Sequence, residues 1–152
     1  MNNPINNELF DTRDLIEYRD FLQSSLVDSY NEYLEDYNLN ADEDEQEELA
    51  ENYEDIVLLD GFIDRYNTEL EHCKDITNFC EELGEYFPDF GFGETLIHES
   101  YFEEYCEDLV KDCGYIHRDL PNWIVINWKE TADNIKVDYT EFEFEGETYY
   151  AR

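Results

Sequence analysis

Carboxylates four residues apart recur along this chain: Glu32 with Asp36, Glu43 with Glu47, Glu47 with Glu51, Glu103 with Glu107, and Glu104 with Asp108. Three kinds of chemistry use such pairs. Two carboxyls in one cleft can exchange protons as acid and base, clustered oxygens can ligate calcium, and like charges about 6 Å apart along a helix can stand in for a row of phosphates. Acid–base catalysis lacks its companions here. No nucleophile motif, phosphate loop or metal signature accompanies the pairs, and His72, His98 and His117 are scattered. Asn38, Asn40, Asp42, Asp44 and Gln46 occupy the odd positions of an EF-hand loop, but Glu43 stands where that loop requires Gly and Leu49 where it requires a bidentate Glu. His72, Cys73, Cys80 and His98 give zinc no close chelating pair beyond adjacent residues. The sequence therefore predicts a protein that is not an enzyme and uses no metal or cofactor.

The phosphate-like reading draws on the whole composition. Forty-two Asp and Glu against nine Lys and Arg leave a formal charge of -33 over 152 residues. The acids are interleaved with Leu, Ile, Tyr and Phe, and a chain 41% apolar and 16% aromatic is too rich for a disordered polyanion. The charge must sit on a folded surface, where self-repulsion costs stability. Duplex DNA carries one charge per about 1.7 Å of axis, so a net charge of -33 equals that of about 56 Å of duplex. Nucleic acid itself is a poor partner, because the nine cations form no stripe. No run of eighteen apolar residues exists, and the start MNNPINNELF lacks the basic flank and apolar stretch of a signal peptide, which predicts a cytoplasmic protein. Cys73 and Cys80, like Cys106 and Cys113, stand seven residues apart, about 10.5 Å on a helix. That separation forbids a local disulfide, and all four are expected to be reduced core thiols.

The elements that must position these acids are mainly helices, with a hairpin at the end. Asp11 or Thr12 can cap a first helix over roughly 12–37, where Leu15, Tyr18, Leu22, Leu26, Tyr30, Tyr33 and Tyr37 recur every three or four residues. Asn40 stands three residues before Glu43 and predicts a capping box for a second helix reaching about Leu59. FIDRYNTEL reads equally as a strand and loop or as a helical continuation. Asp75 opens a third helix through Leu83, closed by Gly84. EYFPDFGFGET is the clearest boundary, dividing an acidic helical region, 1–86, from an α+β region, 87–152, with one continuous domain as the alternative reading. Beyond it, Ser100 with Glu103 predicts a capped helix ending at Gly114, and Asn127 with Glu130 predicts another of about ten residues with Trp128, Ala132 and Ile135 inward. TEFEFEGETYY alternates polar and aromatic about Glu145 and Gly146, which predicts an antiparallel β-hairpin with Glu141, Glu143 and Glu145 facing solvent together. The fold class is thus α+β, mainly helical.

The order GETLIHESYFEEYCEDLVKDCGYI followed by LPNWIVINWKETADNIKVDYTEFEFEGETYYAR resembles small phage and mobile-element proteins related in pattern to the carboxyl-terminal part of ArdA-type antirestriction proteins. The matching features are an acidic helix at Tyr105 to Gly114, a loop with Pro121, an aromatic helix start at Trp128 to Ile135, and the turn Asp138 to Thr140. NYEDIVLLDGFIDRYNTELEHCKDITNFCEEL is similar, more weakly, to the ArdA middle region, and the first helix departs from it. The resemblance implies inhibition of a type I restriction-modification enzyme by occupation of its DNA site, in the host cytoplasm if the gene is carried by a phage, and a homodimer. An inhibitor of a CRISPR effector or an acidic chaperone for basic phage proteins are the alternatives. The partner in the first two cases is a basic DNA-binding cleft. The expected contact surface comprises Glu32, Glu35, Asp36, Asp42, Glu43, Asp44, Glu47, Glu48 and Glu51, then Glu103, Glu104, Glu107 and Asp108, and finally Glu141, Glu143 and Glu145.

Overall fold

Leu15, Tyr18, Leu26, Tyr30 and Leu34 are buried at helical spacing and form the inner stripe of α1, Thr12–Asn40. A second stripe, Phe62, Cys73, Ile76, Phe79, Cys80 and Leu83, belongs to one helix, α2, Asp60–Tyr86. The computed structural model describes residues 1–117 and 119–152, and it is α+β and mainly helical, as the sequence predicted. Its contacts divide the chain into two units, Met1–Asn3 with Leu15–Tyr86, and Pro4–Asp14 with Phe87–Arg152.

Within the first unit the sequence expectation is corrected at three points. Asp75 lies inside α2 instead of opening a helix, because FIDRYNTEL takes the helical one of its two readings and Phe62, Tyr66 and Leu70 carry the same apolar stripe upstream. The only break is at Tyr66, where φ -121° and ψ 21° leave the helical region. Gly84 lies in the last turn of α2 and does not end it. The predicted helix from Asn40 to Leu59 does not form. Residues 41–59 instead make two single 3-10 turns, Glu43–Glu45 and Tyr53–Asp55, in an otherwise irregular segment. Asn40 ends α1, and its side chain donates to the Asp36 carbonyl at 2.7 Å. Two things oppose a helix here: Glu43/Glu47, Asp44/Glu48, Glu47/Glu51 and Glu51/Asp55 would be like-charged neighbours, each costing about 0.2–0.5 kcal/mol, with no Lys or Arg among the nine acids of 41–59, and side chains of α1 bond to the backbone of Glu47 and Ala50 instead.

The second unit holds an antiparallel sheet of order β1-β2-β4-β3, formed by Leu9–Asp11, Thr95–His98, Glu147–Ala151 and Thr140–Phe144 respectively. The predicted hairpin is β3 with β4. Its two-residue turn has positive φ at both Glu145 (51°) and Gly146 (84°), the type I′ geometry that follows strand twist. β1 and β2 are too short for their alternation to show in the sequence. Helices α3, Phe102–Asp112, and α4, Trp128–Lys136, pack on the face carrying Ile97 and Tyr150 through Phe102, Cys106 and Ala132. Phe10, Leu96, Phe142, Phe144 and Tyr149 are buried on the other face.

The ends of these helices are sequence-encoded to different degrees. Asn127 caps α4 as expected, accepting from the Glu130 amide at 3.3 Å and donating to its carboxylate at 3.1 Å. The Ser100/Glu103 box does not form, because Ser100 lies in a 3-10 turn, Glu99–Tyr101, where its amide donates to His98 Nδ1 at 3.2 Å. Past α3, Gly114 at φ 70° bonds back to Lys111 and Tyr115 back to Val110, the paired bonds of a Schellman stop. Thr12 is wholly buried in the second unit: its hydroxyl donates to the Phe90 carbonyl at 2.7 Å and accepts from the Glu94 amide at 2.9 Å.

Candidate acidic partner-binding surface

Two asparagines build the most acidic part of the first unit. Asn38 Nδ2 donates to the Glu47 carbonyl at 2.8 Å while its Oδ1 accepts from the Glu47 amide at 2.9 Å. Asn31 does the same with Ala50, both bonds being 2.9 Å. Each carboxamide thus pairs with both backbone groups of one residue, as a neighbouring strand would. Seven residues of α1 rise about 10.5 Å, and three residues of polyproline II, which completes a turn in three, rise about 9 Å. The match allows residues 47–50 to run antiparallel to α1, and Gln46 leads in with φ -70° and ψ 136°. Ala50, buried, and Ile56 and Leu59, half-buried, pack among Tyr30, Leu34 and Phe62 and hold the segment from beneath. Asp55 Oδ2 accepts from the amides of Asn52 at 2.9 Å and Glu51 at 3.2 Å, fixing the following turn.

The outward consequence is a shallow groove of about 560 Å³ lined by Glu47, Glu48, Leu49, Glu51, Asp55 and Val57 with Gln46. Glu48 and Glu51 on its wall are exposed and Glu47 is half-buried, and Asp42, Glu43 and Asp44, just before it in the chain, are exposed as well. No helix spaces Glu43 from Glu47 or Glu47 from Glu51, so these pairs lose the expected i,i+4 separation. That separation stands for Glu32 and Asp36, which are exposed with Glu35 on α1. The Asn31/Asn38 clamp was missed by sequence reasoning. Its signal is a pair of asparagines two turns apart inside a strong helical stripe.

In the second unit Glu103, Glu104 and Asp108 are exposed on α3, and Glu107 is half-buried and bonded to Lys111 Nζ. That bond, with Asp108 and Asp112 adding to it, pushes the Lys111 ammonium above its ordinary range. Glu141 and Glu143 are exposed on edge strand β3, on the same face as Ile97 and Tyr150. Tyr150 Oη donates to Glu141 at 3.2 Å. Glu145 leaves this row, since it forms the turn and not the strand. The sixteen acids therefore fall into two sets, nine in the first unit and seven in the second.

Cations do little to offset them. Arg13 forks onto Asp11 at 2.9 and 2.8 Å and holds that carboxyl below the usual carboxylate range, and Arg19 pairs with its neighbour Asp20 at 2.7 Å. Arg65 lies over Tyr66, Arg152 over Tyr139, and Lys136 over Tyr150 at 4.5 Å from the ring centre. Glu107, among the candidate acids, is tied to Lys111. The segment Leu15–Tyr86 alone carries 23 acids against three cations.

No family model, curated protein or solved structure matches this chain.

The remaining polar chemistry is local. His72 Nε2 meets Tyr18 Oη at 3.1 Å, and His98 is held between Ser100 Oγ at 2.7 Å and Glu147 at 3.0 Å. Among the described residues, no three His, Cys, Asp or Glu side chains are placed to hold a metal ion, and no helix is long and apolar enough to cross a membrane. Cys73, Cys80 and Cys106 are buried free thiols, and burial pushes Cys80 up to about 11. Cys113 departs from the expected core position: α3 stops at Asp112, and the thiol is exposed at its cap.

Proposed function

We propose that this protein is a polyanionic inhibitor that occupies the nucleic-acid-binding cleft of a defence enzyme, with a type I restriction-modification complex as the favoured target by resemblance to ArdA-type proteins. One observation carries the reading: the segment 46–52, clamped by Asn31 and Asn38, and the adjoining face of α1 expose Glu32, Glu35, Asp36, Glu48 and Glu51, while Arg19 is paired with Asp20 and Arg65 lies over Tyr66. A Lys- and Arg-lined cleft meeting such a surface releases its bound anions, and long-range attraction speeds the encounter. Phosphates carry no sequence information, so an acidic surface can address a cleft built for any sequence.

Displacement of labelled duplex from a type I methyltransferase core, titrated at two salt concentrations, tests this. Stoichiometric displacement that weakens with salt supports the proposal. A folded protein that displaces no duplex from an active core refutes that target, and the same titration on a CRISPR effector then tests the alternative. Exchange of Asp42, Glu43, Asp44, Glu48 and Glu51 for Asn or Gln in steps should weaken displacement gradually. Abolition by any single exchange would speak against charge mimicry.

A further inference from the structure

The interval from Cys113 to Lys129 is unlike the rest of the chain. It holds one acid, Asp119, against Arg118 and Lys129, in a sequence of net charge -33. Between the Schellman stop of α3 and the Asn127 cap of α4 the backbone makes single turns, Leu120 bonding to His117 and Ile124 to Pro121. These turns leave Tyr115 and Trp123 each 80% exposed and Val125 89% exposed. Beside them a hollow of about 470 Å³ is lined by Ile116, Leu120, Ile126 and Trp128, with Lys111 and Asp112 at the α3 side. Exposed apolar groups in such a set mark interaction surfaces.

Charge decides what covers it. A nucleic acid or an anionic lipid surface is repelled by the protein's field. The α3 side of the hollow is Lys111 and Asp112, and one and two turns back along that side of the helix stand Asp108 and Glu104, both exposed. A complementary partner therefore presents an apolar side chain flanked by Lys or Arg, the first for the hollow and the second for α3.

We infer that the Tyr115–Trp128 loop is an anchoring site for a cationic amphipathic segment of a protein partner. The inference rests on the acidic surface being partner-binding, and it adds a component that salt does not screen. Charge brings the partner in, and the buried apolar contact slows its departure.

The test uses the full chain and two 14-residue peptides of equal charge, a leucine–lysine amphipathic helix and a control with every leucine replaced by serine. Amide shifts on adding the leucine peptide should centre on residues 115–128, and its binding should persist at a salt concentration that abolishes the control's. Trp123→Ser with Val125→Ser should weaken the leucine peptide by about tenfold, the scale of a lost interface anchor, and leave the control unchanged. Equal binding of both peptides, with shifts spread over acidic residues only, overturns the anchor and leaves the acidic-surface reading standing. Failure of both peptides to bind at low salt overturns both. If the double variant melts early, the shift map of the unaltered protein decides alone.

Discussion

Asn31→Ala removes both bonds between α1 and Ala50, and its cost can be worked from the geometry. The two bonds are 2.9 Å long, neutral, and made to a residue that is only 4% exposed. Each neutral bond is worth about 0.5–1.5 kcal/mol net, so the pair should cost about 1–3 kcal/mol. The loss is local, because Asn38 still holds Glu47. Amide hydrogen exchange resolves it by residue. The Ala50 amide has Asn31 Oδ1 as its acceptor, so its exchange should accelerate by about 10- to 100-fold, each tenfold step corresponding to about 1.4 kcal/mol. Sheet amides at Ile97 and Tyr150 should keep their rates. Asn31→Asp is the sharper variant: it retains the acceptor for the Ala50 amide but sets a second oxygen against the Ala50 carbonyl. It should also destabilise the segment, while adding charge to a surface that charge alone would favour. An unchanged Ala50 exchange rate in Asn31→Ala would refute the clamp, and with it the account of how the acidic segment is shaped.

Thr12→Val keeps the volume of a fully buried side chain but strands the Phe90 carbonyl and the Glu94 amide, so urea denaturation should show a loss of about 2–4 kcal/mol, with Thr12→Ser recovering most of it. Glu145→Asn should raise the melting temperature, since Glu145 adopts φ 51°, where Asn is preferred in type I′ turns; a gain of about 0.5–1 kcal/mol is expected, and a loss would show that Glu145 contributes a contact outweighing its backbone. An aromatic disulfide reagent at neutral pH should label Cys113 rapidly and leave Cys73, Cys80 and Cys106 untouched until unfolding. Burial raises the Cys80 thiol in the folded state, so its contribution is fully present below the ordinary thiol value of 9.0 and is lost as pH climbs through about 11; stability measured from pH 8 to 11 should fall, and less steeply in Cys80→Ala after correction for its lower baseline.

The fold was legible where one periodicity dominated. The stripe from Leu15 to Leu34 obeys the helical period, and the alternation from Glu141 to Phe144 obeys the strand period. The Asn127 cap was legible because its partner Glu130 is three residues away. Residues 41–59 misled because Glu, Gln, Leu and Ala are good helix formers one at a time, whereas the outcome was set by like-charge spacing and by bonds from Asn31 and Asn38, nineteen and nine residues away. β1 depends on pairing Leu9 with Ile97, a partner far along the chain that no local pattern announces. Of the candidate surface, sequence identified the acids, and it also carried the signs that two of them leave the open set: the hairpin centres on Glu145 and Gly146, and Glu107 stands four residues before Lys111.

Residues 46–50 rest on the carboxamides of Asn31 and Asn38 and on a buried cluster of Tyr30, Leu34, Ala50 and Phe62, with Asp55 tying the turn that follows, and this divides the burden of heredity. Replacing Asp by Glu, or shifting an acid by one position along 42–48, leaves the clamp bonds and the buried contacts of Ala50, Ile56 and Leu59 intact. Selection on the field can act on the total while individual acids drift. Descendants of such a gene should keep Asn31, Asn38 and the small residue at position 50 while their carboxylates wander.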